Sequence, residues 1–187
     1  MDIIMSETII LVDMDGVLAN FDKAVIAILR QEYPEIPVVE PSDRKSFYLA
    51  DDYPDEYRET IESIYVRPGF YKNLPPFSGA IDAVNLMDNM GFNVFICTSP
   101  LTEYKNCVGE KYEWVHTHLG DKFVKRVILT KDKTLVRGTI LIDDKPHITG
   151  GLIPEWKHVI FDAPYNRHAN GFHRITWGNW QDILLRR

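Results

Sequence analysis

A parallel α/β sheet covered by helices on both faces, with a small helical cap inserted after its first strand, is the fold class the sequence predicts. Three observations carry it. Short apolar runs rich in β-branched residues recur along the chain and end in polar residues. Helical stripes lie between them, and strands alternating with helices imply a parallel sheet. One interval, between Phe21 and the second apolar run, is far longer than the dozen or so residues that a crossover between parallel strands needs.

Taken in order, residues 8–12 form the first predicted strand, and Phe21, Val25, Ile28 and Leu29 follow at helical spacing behind Asn20 as N-cap, with Pro34 ending that helix. Pro34, Pro37 and Pro41 mark an irregular connection. Tyr57, Ile61, Ile64 and Tyr65 then repeat at helical spacing after Pro54, which suits position N1. The extra length is assigned to a cap over residues 22–77, leaving residues 1–21 and 78–187 as the core. Ile81, Val84 and Met87 give a helix from Gly79 to Gly91, a good C′ residue. A strand follows at 93–97. Tyr112, Val115 and Leu119 form a further stripe closed by Gly120, and strands are expected at 126–129, 139–142 and 158–161. Trp114, Trp156, Trp177 and Trp180 read as packing residues, whereas His168 and His173, beside Arg167 and Arg174, read as solvated surface.

Composition narrows the function. Of 187 residues 45% are hydrophobic and 26% charged, the balance of a folded globular chain rather than a disordered one. The net charge of −6 repels an extended polyanion, so a nucleic-acid polymer is not the expected partner. No apolar stretch approaches the roughly 20 residues of a membrane span, and the first residues resemble no export leader, so a cytoplasmic location is expected. The two cysteines, Cys97 and Cys107, are expected to be reduced. A homodimer stays open as an assembly.

The chemistry sits at the strand ends. In Asp13-Met14-Asp15-Gly16-Val17, side chains two apart on extended backbone point the same way, so Asp13 and Asp15 leave the strand together while Gly16 turns the chain. Two crowded carboxylates call for a cation, and hard oxygen donors suit Mg²⁺. The next strand ends in Thr98-Ser99, offering a hydroxyl and backbone N–H groups to a phosphate oxygen; the third ends in Lys131-Asp132-Lys133, and the fourth in Asp143-Asp144. Each tip alone also reads as an ordinary polar turn. Together they match what an open parallel sheet gathers in one crevice at its carboxyl edge. The combination suits phosphoryl transfer to a carboxylate: Asp13 as nucleophile, Asp15 as acid and then base, Thr98 and nearby N–H groups on the phosphoryl oxygens, Lys133 and the metal supplying positive charge, and Asp144, with Asp143 nearby, completing the metal site.

These four motifs resemble those of the haloacid dehalogenase superfamily of phosphohydrolases, which implies a Rossmann-like core. More narrowly, Asp13 to Ala19, Phe95 to Leu101, Cys107 to Val115, Ile128 to Thr134 and Leu141 to Pro146 are similar to the 5′(3′)-deoxyribonucleotidases, as are Ser46-Phe47-Tyr48 and Ser63 to Phe70 in the cap. The resemblance covers nearly the whole chain. It implies a Mg²⁺-dependent phosphomonoesterase acting on small deoxynucleoside monophosphates, with Mg²⁺ on Asp13, the Asp15 backbone carbonyl and Asp144. It also implies Phe21, Phe47 and Tyr65 around the nucleoside, and Thr98, Ser99 and Lys133 at the phosphate. An aromatic wall stacks on a base at about 1–3 kcal/mol. A ribose 2′-hydroxyl left without a partner there costs about 1–3 kcal/mol, which favours deoxyribose.

Two departures stand out. Lys131 occupies a position where arginine is expected, a point charge in place of a planar fork, and residues 161–166 differ from the family pattern. A phosphatase of another small phosphate ester remains the alternative. A phospho-accepting regulatory domain would use similar aspartates, yet has no need of so large a cap or of a second carboxylate two residues from the nucleophile.

Overall fold

The computed structural model describes residues 7–185. Six strands, β1 (Ile9–Val12), β2 (Asn93–Thr98), β3 (Val127–Leu129), β4 (Ile140–Asp143), β5 (Lys157–Phe161) and β6 (His173–Ile175), form one parallel sheet in the order β3-β2-β1-β4-β5-β6. Five of them are the expected strands. β6 was not expected: it is three residues long at the sheet edge, and His173, expected as surface, is exposed yet pairs with Val159. His168 is exposed as expected.

The strand order reverses at β1, whose neighbours are β2 on one side and β4 on the other. That switch point fixes the functional geometry, because Val12 is in register with both Ile96 and Ile142. Asp13, Thr98 and Asp143 therefore leave adjacent strands at nearly one level, and the Asp13 N–H still donates to the Ile142 carbonyl at 2.9 Å.

The expected helices are all present: α1 (Phe21–Glu32), α2 (Asp55–Ile64), α3 (Ala80–Asn89) and α4 (Cys107–Leu119), followed by the short α5 (Asp121–Val124) and α6 (Trp180–Leu184). Asn20 caps α1 by accepting from the Lys23 N–H at 3.0 Å. Pro54 stands at the N-cap of α2 rather than at N1. Among the described residues no helix is long and apolar enough to cross a membrane.

Alternation along β1 divides the interior. Ile10 and Val12 face a large cluster that continues without a break through Val25 and Leu29 of α1 to Ile61 and Ile64 of α2. Leu11 faces a smaller cluster with Cys97, Leu141 and Trp156. All four tryptophans are buried. The indole N–H groups of Trp114, Trp156 and Trp177 donate to the carbonyls of Leu74, Lys133 and Val17, which satisfies each polar atom inside the core. Cys97 and Cys107 are buried free thiols.

Candidate active site

The turn after β1 is built on Met14, whose carbonyl accepts from the Leu18 and Ala19 N–H groups at 2.8 Å each. Gly16 sits at φ 77°, the left-handed region that favours glycine. A Cβ there would lie 2.4 Å from Asp144 Oδ2, so glycine is also what lets this turn pass against the end of β4.

Two buried lysines divide the carboxylates. Lys133, in the single turn after β3, lies 2.8 Å from Asp13 Oδ1 and donates to Asp143 Oδ2 at 2.5 Å. Lys111, from the middle of α4, donates to Asp15 Oδ2 at 2.5 Å and to Thr98 Oγ1 at 2.9 Å. Asp143 Oδ1 accepts from the Lys145 N–H at 2.8 Å. Asp144 is held by the Tyr165 hydroxyl, which donates to Oδ2, and by Asn166 Nδ2, which donates to its backbone carbonyl at 2.8 Å.

Oδ1 of Asp15 and Oδ1 of Asp144 are buried and accept no hydrogen bond, whereas the equally buried Asp13 Oδ1 has the Lys133 ammonium at 2.8 Å. Buried carboxylate oxygens without donors are costly unless a cation serves them. Carboxylate oxygens of Asp13, Asp143 and Asp144 lie within 4.8 Å of one another, a set of hard donors that fits a divalent ion. The Asp15 side chain stands outside that set and turns to Lys111 instead.

Burial raises the Asp144 carboxyl well above the ordinary carboxylate range, and the charges of Asp143 and Asp13 raise it further. Burial also raises Asp143 and, against the opposing pull of Lys111, Asp15. Burial works against the charge of Lys133, yet Asp13 and Asp143 outweigh it and hold its ammonium above the ordinary value.

Two cavities meet here. One of about 300 Å³ is lined by Asp13, Asp15, Thr98, Ser99 and Lys133. The other, about 210 Å³, is lined by Phe21, Phe47, Tyr65, Asp144 and Tyr165, and both are bordered by Asp15, Phe47, Tyr48, Tyr71 and Leu101. The structure thus brings every expected site residue to one joined crevice. Phe21 does double duty: half-buried, it also packs its ring 5.2 Å from Phe70 and 5.5 Å from Tyr65. Lys131 lies at the rim, where its Nζ donates to the Pro100 carbonyl at 2.9 Å.

Three residues of the site were not singled out from the sequence: Lys111, Tyr165 and Arg44. Arg44 is buried, pairs with Asp22 and Asp52, donates to the carbonyls of Ser46 at 2.9 Å and Phe47 at 3.1 Å, and places its guanidinium 4.8 Å from the centre of the Tyr165 ring. It therefore shapes the loop that presents Phe47. Lys111 and Tyr165 acquire their roles from partners distant in the chain, and Arg44 joins its own loop to the distant Asp22 and Tyr165.

Comparison with known proteins agrees with this geometry. The model of the family described as 5′ nucleotidase, deoxy (Pyrimidine), cytosolic type C protein matches residues 7–187. A Bordetella bronchiseptica protein provisionally named 5′(3′)-deoxyribonucleotidase is 50% identical over 176 residues, covering 94% of this chain and 95% of that one. The human 5′(3′)-deoxyribonucleotidase, cytosolic type, is 44% identical over 186 residues, covering 94% and 92%. Among solved structures, the provisional HAD-hydrolase YfnB from Bacillus subtilis, crystallised with magnesium, shares the fold at a TM-score of 0.62 and 15% identity, covering 95% of this chain and 98% of that one. With a haloacid dehalogenase-like hydrolase fold and a family match over nearly all of its length, the chain belongs to the cytosolic type C 5′(deoxy)nucleotidase family.

Proposed function

We propose that the protein is a Mg²⁺-dependent phosphoric monoester hydrolase that dephosphorylates deoxynucleoside monophosphates through an aspartyl-phosphate intermediate. The observation that carries this reading is the convergence of the Asp13, Asp143 and Asp144 carboxylates, with Asp144 Oδ1 buried and without a donor, on the buried ammonium of Lys133 beside an aromatic cavity. Asp13, the Asp15 carbonyl and Asp144, with Asp143 beside them, would hold Mg²⁺, which supplies the positive charge that lets a carboxylate approach a dianionic phosphate.

The chain's own groups do the rest. Thr98 Oγ1 accepts from Lys111, so its hydroxyl proton is free to donate to a phosphoryl oxygen. Lys133 and the N–H groups after β2 take the remaining phosphoryl oxygens. As a carboxylate oxygen of Asp13 bonds to phosphorus, the ester P–O bond breaks and the leaving oxygen receives the proton of Asp15. Water then attacks the aspartyl phosphate and gives Asp15 its proton back, which releases inorganic phosphate and restores Asp13. Burial favours the protonated Asp15 that the first step needs.

Residues 22–77 serve in this reading as the cap, and Phe21, Phe47 and Tyr65 hold the base and sugar. The cytosolic type of the human relative supports a cytoplasmic location, and light scattering separates a single chain from the homodimer. The test of function is a panel of deoxyribonucleotides, ribonucleotides and sugar phosphates with Mg²⁺. We expect deoxyribonucleotides to lead their ribose counterparts by about ten- to a hundredfold, and Asp13→Asn to abolish turnover. Equal rates on sugar phosphates would transfer the reading to another small phosphate ester. Absence of steady phosphate release would end it.

A further inference from the structure

Lys111 is a lysine in the middle of α4 whose side chain is 0% exposed, and it lines neither cavity. A buried ammonium is costly unless it is paired and hydrogen-bonded. Its partners are Asp15 Oδ2 at 2.5 Å and Thr98 Oγ1 at 2.9 Å, with the Tyr71 ring centred 5.2 Å away. The preceding residue fixes that ring: Glu110 accepts from the Gly69 N–H at 2.6 Å and from the Tyr71 N–H at 3.0 Å. One turn of α4 thus secures the segment around Tyr71 and, through Lys111, the carboxylate after β1 and the hydroxyl after β2.

The consequence for Asp15 is asymmetric. Oδ2 is tied to Lys111, whereas Oδ1 is buried with no hydrogen-bond donor. A carboxylate free to rotate would present either oxygen at a range of angles, and proton transfer is sensitive to that geometry. We propose that Lys111 is a positioning residue that fixes the orientation of the Asp15 carboxyl group toward the leaving oxygen, and that the same ammonium sets the distance from this acid to the Thr98 phosphate seat. This rests on the acid/base role of Asp15 given above.

The experiment compares kcat/KM for a deoxynucleoside monophosphate, whose alkoxide needs a proton to leave, with that for p-nitrophenyl phosphate, whose phenolate does not. In Lys111→Met, an unbranched neutral replacement, the nucleotide value should fall about 100-fold, as for loss of a general acid, while the aryl ester falls by less than about tenfold. Phosphorylated Asp13 should accumulate on the aryl ester, because the returning water also needs Asp15. Lys111→Gln keeps a donor and should lose less on the nucleotide; if the Met variant does not fold, the same ratio is read from the Gln variant. Equal losses on both esters without trapped phosphoenzyme would overturn the proposal and make Lys111 a plain charge or packing group. A wild type that forms no phosphoenzyme on either ester would instead remove the acid/base reading, and this inference with it.

Discussion

Replacing Gly16 by alanine puts two separate costs on one atom. The first is conformational: at φ 77° an L side chain in the left-handed region costs about 1–2 kcal/mol. The second is a collision. The added Cβ would stand 2.4 Å from Asp144 Oδ2, 2.9 Å from its Cγ and 3.2 Å from the Tyr165 hydroxyl. Asp144 has to yield, and the oxygen that moves is the one Tyr165 holds, a hydrogen bond to a charged group worth about 1.5–3 kcal/mol. Together these predict a loss of about 2.5–5 kcal/mol, which for a chain of this size lowers the thermal midpoint by about 5–20 °C. The displaced carboxylate also belongs to the cluster proposed to hold Mg²⁺, so the affinity for that ion should fall about 10–100-fold. Calorimetric unfolding without metal and titration calorimetry with Mg²⁺ read the two effects separately. A midpoint within about 2 °C of wild type, with unchanged Mg²⁺ affinity, would refute both the steric argument and the placement of Asp144.

Two further outcomes follow from the same groups. Tyr165→Phe removes only the hydroxyl that donates to Asp144 Oδ2; Mg²⁺ affinity measured by titration calorimetry should drop about 10–100-fold, and an unchanged value would deny Tyr165 any part in orienting the ligand. The second outcome concerns pH. Burial raises Asp15, Asp143 and Asp144 above the ordinary carboxylate value of 3.8, so in that range the metal-free folded chain holds protons that the unfolded chain releases. Stability without metal is therefore greatest below the ordinary value of 3.8 and declines as pH rises from there to the raised values. Mg²⁺ binds the deprotonated carboxylates and offsets that decline, so the rise in thermal midpoint on adding Mg²⁺ should grow from about pH 5 to about pH 8. A rise that shrinks across this range would contradict the assignment of these three groups.

Much of this architecture is written locally. The five expected strands carry their own apolar runs, and the four polar tips sit at or just after their ends, so Asp13, Thr98, Lys133 and Asp144 could be found from the sequence. β6 could not: in His173–Ile175 two of three residues are polar, and it is held at the edge by pairing with β5 alone. Lys111 was illegible for another reason. A lysine in an amphipathic helix ordinarily marks the solvated face, and only the arrival of Asp15 from the turn after β1 and of Thr98 from the end of β2 makes a buried position tolerable. Tyr165 lies in the segment that departs from the family pattern, and its meaning depends on Asp144, 21 residues earlier. Arg44 reads as one more charge in a loop until Asp22, Asp52 and the Tyr165 ring close around it.

The unbroken apolar cluster from Ile10 and Val12 through α1 to α2 has a bearing on how such enzymes can be altered. Segments 22–77 and the sheet do not meet as two finished surfaces; they complete one interior, with Val25, Leu29, Ile61 and Ile64 as its inner wall. Transplanting the corresponding insert from a distant relative would bring foreign side chains into a close-packed space and leave either voids or overlaps. On the proposed reading of the cap and of Phe47 and Tyr65 in the cavity lining, new substrate preferences are therefore more accessible by exchanging such single residues than by swapping the whole segment as a cassette.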